Sequence, residues 1–477
     1  MADQSVARPL AGDHELHRIF DLQHKASRRD PPADARLRRD RLERLRALLA
    51  DNAARFAEAI SDDFGTRSRT ETELLEIVPT MSAIRHARKN VARWMKPERR
   101  WVDPLFQPAS ASVRHEPLGV IGIISPWNYP LQLAFSPLVD AIAAGNRVMI
   151  KPSELTPAFS ELLRGLIAER FDPDEVAVIT GGAEVGQAFA SLKFDHLLFT
   201  GSTAIGRKVY QAAAANLVPV TLELGGKSPA IICPDYDLAK AARSIAFGKF
   251  VNAGQTCIAP DYVLVPDGKE QAFADALMTQ VRTSYPAIAG NDDYSSIIAD
   301  RHRRRLTDAI DAARSAGATL LAHEDEGVRA QGKIGPTLIL GAPDDSLFLT
   351  EEIFGPVLPI LPYRSLDEAV AHVAARERPL ALYCFTNKSR DRERVLDGAI
   401  SGGATINGTL LHVAQEHLPF GGVGASGIGA YHGREGFKRF SHARAVHKVG
   451  FVNVFEKLGP PWGKMAKTLG EKLSKRR

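Results

Sequence analysis

Residues 117–151 read PLGVIGIISPWNYPLQLAFSPLVDAIAAGNRVMIK. Their first part, residues 117–124, is rich in β-branched side chains and is flanked by structure-breaking residues, which is typical of a buried parallel strand. A helical segment follows as far as Ala144, the pair Gly145-Asn146 ends it, and residues 147–150 form a second strand. The succession of strand, helix and strand predicts a βαβ unit, and therefore a parallel sheet with helices packed against it.

Strands and helices continue to alternate beyond this unit. The next predicted elements are helix 158–171, strand 176–180, a further helix and strand 196–200, which favour a doubly wound sheet. From about Lys227 the alternation starts again, with strand 229–233, helix 238–250, strand 262–265 and helix 270–284. We therefore expect an α/β protein with two doubly wound, Rossmann-like domains, the second of which continues to about residue 412.

Two segments do not follow this alternation. Residues 96–116 are rich in proline and carry apolar residues at irregular spacing, which is typical of a linker or of an arm that joins another subunit. Residues 418–440 are rich in glycine, and a basic tail follows them.

The composition limits the classes of function. The chain has 477 residues, 44% of them hydrophobic and 25% charged, as in ordinary globular proteins, and its formal net charge is only +5. Because acidic residues are interleaved with the basic ones, nothing favours a nucleic-acid partner. The first residues lack the basic and apolar regions of a secretory signal, so we expect a cytoplasmic protein.

The cysteines and histidines show neither a disulfide framework nor a metal-binding pattern. The cysteines, Cys233, Cys257 and Cys384, are odd in number and far apart, and none of the fourteen histidines has the spacing of a metal ligand. We therefore expect a reducing compartment and no bound metal. Cys233 and Cys384 lie in apolar strands, where a free cysteine is usually a small core residue.

Cys257 lies in a different setting from the other cysteines. It ends the flexible and polar sequence Gly254-Gln255-Thr256-Cys257, and Glu223 follows an apolar run earlier in the chain. A thiolate at this position can attack an electrophilic carbon, and a nearby carboxylate can activate water to release the product. The alternative for Cys257 is an inert buried side chain.

Two strand ends carry residues that suit a nucleotide. In residues 198–206 (LFTGSTAIG) a strand passes through small residues into a helix, and free N–H groups at a helix start suit a pyrophosphate. Lys151 and Glu154 follow another strand, where they can hold ribose hydroxyls. The alternatives are an ordinary strand-to-helix turn and a surface ion pair.

Asn128 and Glu352 complete the set of candidate residues. Asn128 lies in a tight loop after a strand, and its amide can donate to an oxyanion, a contribution of about 3–4 kcal/mol in a suitable geometry. An asparagine in such a loop can also be a simple turn former. Glu352 is either part of a site or a capping or surface carboxylate.

Several motifs occur in a characteristic order: PWNYP, KPSE, FTGSTAIG, LELGGK, GQTC, EEIFGP and PFGGVGASG. From about residue 115 to residue 445 the chain thereby resembles the aldehyde dehydrogenase superfamily. The segment GQTCIAPDYVLV and residues 427–433 are similar to its class 3-like branch. The segment FSHARAVHK is similar to the bacterial coniferyl aldehyde dehydrogenases of that branch.

The resemblance implies a role for each matching residue. Cys257 is the expected nucleophile, Glu223 the general base, and Asn128, with the Cys257 N–H, the oxyanion hole. The expected cofactor contacts are Lys151 and Glu154 at the adenosine ribose, Gly201, Ser202 and Gly206 at the pyrophosphate, and Glu352 and Phe354 at the nicotinamide ribose and ring.

The resemblance also implies an activity and an organisation. The expected reaction is NAD(P)-dependent oxidation of an aldehyde to its acid through a cysteine thiohemiacetal and a thioester, with NAD preferred and NADP as the alternative. Residues 1–95 and 117–224 are expected to bind the dinucleotide, and residues 225–414 to carry the catalytic cysteine. Residues 96–116 and 415–445 are the expected oligomerisation arm of a homodimer, and residues 446–477 form a basic tail.

Neither the identity of the substrate nor the role of the C-terminal tail is determined by the sequence. An aromatic or bulky apolar aldehyde is expected, with coniferyl aldehyde ahead of medium- or long-chain aliphatic aldehydes; Phe247 and Phe250 either line its pocket or belong to the core. Other readings are an NAD-independent thiol acyl transferase or esterase and a non-catalytic descendant. Residues 462–477 are expected to form a solvated or partner-facing helix, with docking on a membrane as the alternative.

Overall fold

Three β-sheets and the helices that connect their strands make up the protein. The computed structural model describes residues 11–474. Residues 1–10 of the predicted first domain and residues 475–477 of the predicted tail lie outside the described residues. Among the helices of residues 11–474, none combines the length and the apolar character needed to span a bilayer.

The helices lie between the strands along almost the whole chain. They are α1 (Ala11–Arg29), α2 (Ala35–Phe64), α3 (Arg69–Thr72), α4 (Val78–Trp94), α5 (Pro130–Ala144), α6 (Pro157–Arg170), α7 (Ala183–Ala190), α8 (Thr203–Ala214), α9 (Leu238–Phe250), α10 (Glu270–Ser284), α11 (Asp300–Ser315), α12 (Leu347–Thr350), α13 (Leu366–Ala374), α14 (Ser389–Gly398), α15 (Gly433–Arg439), α16 (Val454–Leu458) and α17 (Lys464–Ser474).

The strands are shorter and mostly buried. They are β1 (Glu98–Arg100), β2 (Ser110–Pro117), β3 (Val120–Ile124), β4 (Arg147–Lys151), β5 (Val176–Val178), β6 (His196–Thr200), β7 (Val220–Glu223), β8 (Pro229–Ile232), β9 (Tyr262–Pro266), β10 (Thr319–Ala322), β11 (Thr337–Leu340), β12 (Val357–Tyr363), β13 (Ala381–Phe385), β14 (Gly403–Ile406), β15 (Gly427–Ile428) and β16 (Ser441–Lys448).

The first sheet has the order β15-β7-β6-β3-β4-β5, and its strands are parallel except that β15 runs antiparallel to β7. Strand β3, from the sequence that predicted the βαβ unit, lies in the middle of it. Gly122 allows a close approach there, because a Cβ at this position would lie 2.6 Å from the Phe194 ring. The predicted parallel α/β architecture is confirmed.

The second sheet has the order β10-β11-β12-β9-β8-β13-β14, and only β10 is antiparallel to its neighbour. Successive residues of its central strands point to different cores. In β8, Ala230 and Ile232 belong to the large core shared with α9 and α10, whereas Ile231 and the following Cys233 belong to a smaller core with α13 and α14. The sheet is therefore covered on both faces, as its apolar strands require.

The N-terminal helices form a layer beside the first sheet. Helix α2 is long, because buried apolar residues recur at helical spacing as far as Phe64. Phe56 of α2 packs with its ring centroid 5.9 Å from that of Phe135 in α5 and 5.8 Å from that of Phe159 in α6. These contacts attach the layer to the helices that cover the sheet.

The third sheet is antiparallel and has the order β1-β2-β16. Strand β16 pairs with β2 along its whole length, from Ser441 opposite Pro117 to Lys448 opposite Ser110. The strand thus runs past residue 445, so the predicted limit between arm and tail divides it. Its mixed polar sequence is largely exposed, and it lacks the alternation of apolar and polar residues that reveals a half-buried strand.

Candidate functional site

A cavity of about 300 Å³ lies between the carboxyl end of β7 and the loop that follows α9. It brings together Asn128, Gly201, Ser202, Glu223, Cys257, Glu352 and Phe354 of the residues that the sequence singled out. The other lining residues are Pro126, Trp127, Thr200, Leu224, Gly225, His302, Arg305 and Glu351.

Cys257 is placed by a tight left-handed turn at the end of α9. Asn252, Ala253 and Gly254 all have positive φ, at 51°, 49° and 73°. A side chain at Gly254 is excluded, because a Cβ there would lie 2.3 Å from the Gly355 carbonyl oxygen. The turn leaves Cys257 half-buried at the cavity, whereas Cys233 and Cys384 are buried in the second sheet. The structure therefore separates Cys257 from the two core cysteines, as expected.

The surroundings of the Cys257 thiol favour its protonated form. Burial raises the pKa of Cys257 to about 12, and the nearby carboxyl groups of Glu352 and Glu223 act in the same direction. The Cys257 and Ile258 N–H groups oppose this shift. A reaction at this sulfur therefore begins with removal of its proton.

Glu223 ends β7 and is only 2% exposed. Neither of its carboxyl oxygens has a hydrogen-bond partner within residues 11–474. Burial raises the pKa of Glu223 well above its usual value, with Arg439 opposing the shift. A buried carboxyl without partners is costly for a purely structural role, so this group is available to a molecule in the cavity.

Asn128 is held at the cavity from several directions. Its side-chain Nδ2 donates to the Gln255 carbonyl at 3.1 Å, and its own carbonyl accepts hydrogen bonds of 2.9 Å from Arg67 Nη1 and from Asn252 Nδ2. The amide thus already points towards the loop that carries Cys257. This contact fits an oxyanion donor better than a simple turn former.

Arg67 and Glu76 form a buried ion pair behind Asn128, and the sequence analysis did not identify it. Arg67 Nη2 lies 3.0 Å from Glu76 Oε1, and both side chains are fully buried. Glu76 Oε2 also accepts from the Leu131 and Gln132 N–H groups, at 2.9 and 3.1 Å, in the first turn of α5. The pair therefore joins the N-terminal layer to the helix that begins beside Asn128.

A second, half-buried carboxyl group supports the cysteine loop. Glu71 Oε2 accepts from the Asn252 N–H at 2.9 Å, and burial raises the pKa of Glu71 to about 7 against the opposing charge of Arg67. Glu71 and Glu76 lie on either side of the start of a single π-helical turn, Glu73–Ile77. Such a turn shifts the helical register by one residue, so an α-helical period does not predict which of these glutamates point inwards.

Glu352 and Phe354 enter the cavity from the second domain. Burial, with the nearby Asp261, raises the pKa of Glu352 to about 8. Its carboxyl group fills the space beside Gly225, where a Cβ would lie 1.8 Å from Glu352 Oε2. Phe354, with φ of 50°, meets the Trp127 ring edge-on with 5.3 Å between centroids. Glu352 is thus a half-buried member of the site, with one buried carboxyl oxygen, and not a surface carboxylate.

Glu154 lines a neighbouring cavity of about 280 Å³, whereas Lys151 lines neither cavity and is placed by its ion pair with Glu154. Their charged groups are 2.9 Å apart, with the lysine side chain 4% and the glutamate side chain 47% exposed. The alternative reading, an ion pair, is therefore present, and Glu154 also lines the cavity. Its walls are Pro152, Ser153, Glu154, Pro157, Ser160, Glu161, Thr180 and Gly181.

Three other candidate residues lie away from the cavities. Gly206 is inside α8, where a Cβ would lie 2.6 Å from Leu224 Cδ2, so it serves close packing. Phe250 is 1% exposed and belongs to the large core, whereas Phe247 is 47% exposed on the surface. Neither phenylalanine lines a cavity described above. The structure therefore does not support a role for Phe247 or Phe250 in lining the substrate pocket.

Comparison with known proteins identifies relatives over most of the chain. Residues 4–446 match the model of the aldehyde dehydrogenase family. The probable coniferyl aldehyde dehydrogenase of Pseudomonas aeruginosa is 50% identical over 460 residues, covering 96% of each chain. The coniferyl aldehyde dehydrogenase of Pseudomonas sp. is 46% identical over 439 residues, or 91% of each chain.

Solved structures and a mammalian relative agree with this. The substrate-bound structure of Staphylococcus aureus AldH superposes with a TM-score of 0.90 at 39% identity, covering 96% of this chain and 99% of that one. A Mycobacterium tuberculosis aldehyde dehydrogenase complexed with NAD+ gives 0.83 at 28% identity over 94% and 92%. The dimeric NADP-preferring aldehyde dehydrogenase of Mus musculus is 39% identical over 407 residues, 85% and 88% of the two chains.

The variant Glu76→Gln tests the buried pair. It keeps the shape of the side chain but leaves the Arg67 guanidinium buried without its counter-charge, so we expect the free energy of unfolding to fall by about 3–5 kcal/mol. The measurement is the melting temperature. Glu73→Gln, at an exposed position in the same turn, is the control and is expected to change stability by less than about 0.5 kcal/mol.

A double variant separates charge from packing. Arg67→Met combined with Glu76→Gln removes both buried charges, and we expect it to melt above Glu76→Gln alone. Equal melting temperatures for Glu76→Gln and Glu73→Gln would show that the Arg67–Glu76 ion pair does not stabilise the folded protein.

Proposed function

Because this chain belongs to the aldehyde dehydrogenase family, we propose that it oxidises an aromatic or bulky apolar aldehyde, with coniferyl aldehyde favoured, to the carboxylic acid. The observation that carries the proposal is the meeting of Cys257 and the unpartnered carboxyl of Glu223 at one cavity. The choice of substrate is supported by the two Pseudomonas relatives, whose names specify coniferyl aldehyde.

The residues present fit a nicotinamide dinucleotide. Gly201 and Ser202 line the main cavity just before α8, whose first N–H groups suit a pyrophosphate. Glu352 offers a buried oxygen without a partner, which suits a ribose hydroxyl, and Glu154 lines the second cavity. When bound, NAD or NADP supplies the hydride acceptor of the reaction.

The side chains of the chain account for the remaining chemistry. Cys257 Sγ, once deprotonated, adds to the aldehyde carbon, and Asn128 Nδ2 with the Cys257 N–H holds the resulting alkoxide. Loss of hydride leaves a thioester on Cys257. Glu223, once ionised, takes a proton from water, which then attacks the thioester and releases the acid. Burial of Glu223 favours this role, because a desolvated carboxylate is a stronger base.

We propose that NAD is preferred and that NADP is also accepted. The Glu154 carboxylate repels a 2′-phosphate, which favours NAD. Its ion pair with Lys151 and its partial exposure weaken that repulsion. The relatives are consistent with either cofactor, since one solved structure contains NAD+ and the mouse enzyme prefers NADP.

We also propose a cytoplasmic homodimer joined through the sheet β1-β2-β16. Exposed aromatic side chains next to this sheet support it: Trp101 is 75% and Phe451 is 93% exposed. The mouse relative is named as dimeric. The three cysteines are free, which fits a reducing compartment. Helix α17 leaves Met465 and Leu473 exposed, and we assign it to solvent or to the partner rather than to a membrane.

The activity is tested by NADH formation with coniferyl aldehyde, hexanal and benzaldehyde. We expect turnover with coniferyl aldehyde ahead of hexanal, and a loss of at least about 10³-fold in Cys257→Ala. Glu223→Gln should slow steady-state turnover by about 10²–10⁴-fold while keeping the first, stoichiometric burst of NADH, since water acts after hydride loss. Acid formation without NAD would instead favour an acyl transferase or esterase.

The cofactor preference is tested by Glu154→Gln. Removing the charge should raise kcat/KM for NADP relative to NAD by about tenfold, or about 1.4 kcal/mol. Glu161→Gln is the matched control, because Glu161 lines the same cavity but pairs with Arg164 at 2.5 Å. An equal change in both variants would contradict a specific contact between Glu154 and the ribose.

The oligomeric state is tested by analytical ultracentrifugation. We expect a species of twice the chain mass of 51.9 kDa, and we expect Phe451→Glu to weaken it by placing a charge beside the third sheet. Leu217→Glu is the control, at a position 91% exposed between α8 and β7. A monomer at micromolar concentration would refute the proposed dimer.

A further inference from the structure

The second sheet has a crevice that the proposed reaction does not use. After β8 the chain enters α9, whose Ala241 and Ile245 pack in the large core, and after β13 it enters α14, whose Val395 packs in the core on the other face. Neighbouring parallel strands whose connections leave to opposite faces open a crevice at their carboxyl ends, where α/β proteins bind ligands.

This crevice lies at the opposite edge of the sheet from Cys257. Cys257 precedes β9, which is parallel to β8, so the catalytic loop is at the amino ends of these strands. Four residues of β8 separate the two edges, or roughly 13 Å of strand. A ligand in the crevice is therefore independent of the catalytic cavity.

Three potential metal ligands meet in the crevice. Cys233 Sγ and one carboxylate oxygen each from Asp235 and Asp391 all lie within 4.8 Å of one another. Cys233 follows β8 and is 1% exposed, whereas the two aspartates are half-buried at the rim. The three residues come from two different strand ends, since Asp391 is in the first turn of α14.

The charges and hydrogen bonds nearby do not occupy these ligands. Lys388 lies close to Asp235, but it is exposed and, within the described residues, forms no ion pair with Asp235 or Asp391. The flanking arginines are engaged elsewhere, Arg392 with Glu393 and Arg394 with Asp367, each at 2.7 Å. Asp235 accepts one hydrogen bond on each oxygen, from Thr386 Oγ1 at 2.9 Å and from the Asn387 N–H at 2.8 Å. A carboxylate oxygen has lone pairs beyond a single hydrogen bond, so these contacts orient Asp235 and do not saturate it.

The position of Asp391 relative to Cys233 also favours a ligand site. Metal ligation requires a thiolate, so the Cys233 proton must leave when a cation binds. A helix-dipole role alone would explain an acid in the first turn of α14, but it does not require that acid to face a buried cysteine.

We propose that Cys233, Asp235 and Asp391 bind a thiophilic divalent cation of the zinc class at the carboxyl ends of β8 and β13. Zinc–sulfur and zinc–oxygen bonds are about 2.3 and 2.1 Å, so the ligand atoms, which lie within 4.8 Å of one another, move closer together when they bind the ion. A water completes four-coordination at the half-exposed rim. The ion replaces the thiol proton, which passes to solvent, and it links the loop after β8 to α14.

Cobalt(II) titration tests the site, since a cobalt–thiolate bond gives a charge-transfer absorption band. The protein used is the full chain carrying Cys257→Ala, so that the catalytic thiol contributes nothing and aldehyde chemistry plays no part. We expect an equimolar end point, release of a proton on binding, and competition by zinc. Adding Cys233→Ser should abolish the band, and adding Asp391→Asn should weaken binding by at least about tenfold.

The matched control is Asp397→Asn, which removes a carboxylate from an exposed position of the same helix and should leave binding unchanged. Asp391→Asn changes a half-buried rim residue, so it remains informative if Cys233→Ser fails to fold. The proposal is overturned if the Cys257→Ala protein gives no band, or if Asp391→Asn and Asp397→Asn bind cobalt equally.

Discussion

The buried ion pair of Arg67 and Glu76 is the contact on which the catalytic geometry depends. One guanidinium holds the Asn128 carbonyl, and one carboxylate holds both Arg67 and the first N–H groups of α5. Removing one charge from a buried ion pair leaves the other uncompensated, so the two groups depend on each other even though Arg67 Nη2 and Glu76 Oε1 meet as charges and not through a hydrogen bond. The loop with Asn128 is therefore positioned from behind by the N-terminal layer, although no atom of the pair reaches the cavity wall.

The cavity itself is built around acids whose pKa values are raised by burial. Glu223, Glu352 and Cys257 all have raised pKa values, and the two carboxyl groups raise the pKa of Cys257 further. Like charges this close cannot all be present in a desolvated space. Ionisation of one group therefore opposes ionisation of the others, and this suits a reaction in which the thiolate is needed first and the carboxylate later.

The sequence predicted the elements whose ends carry local signals. Helix α9 begins and ends at the predicted residues, and Asp237 caps its start by accepting from the Lys240 N–H. The π-helical turn and strand β16 were not predicted, because the first disturbs the helical period and the second is exposed on both faces. The gathering of Asn128, Glu223 and Cys257 could be expected only from the resemblance, since long-range contacts leave no periodic signal in one chain.

The motif LELGGK, residues 222–227, contains both a residue of the proposed reaction and residues that position other parts of the cavity. Glu223 contributes the carboxyl group, and Gly225 leaves the space that Glu352 occupies. Lys227 has no place at the cavity; its ammonium pairs with Asp261 and donates to the carbonyl of Glu351 at 2.8 Å.

Asp261 extends this support to the opposite wall of the cavity. Its other oxygen accepts from the Ile353 N–H at 3.0 Å, so the backbone on both sides of Glu352 is held. A lysine four residues after Glu223, the proposed general base, thus helps to hold a carboxyl group from the other domain in place. The spacing between Glu223 and Lys227 is consequently a structural requirement of the site, even though only one of the two residues takes part in the proposed chemistry.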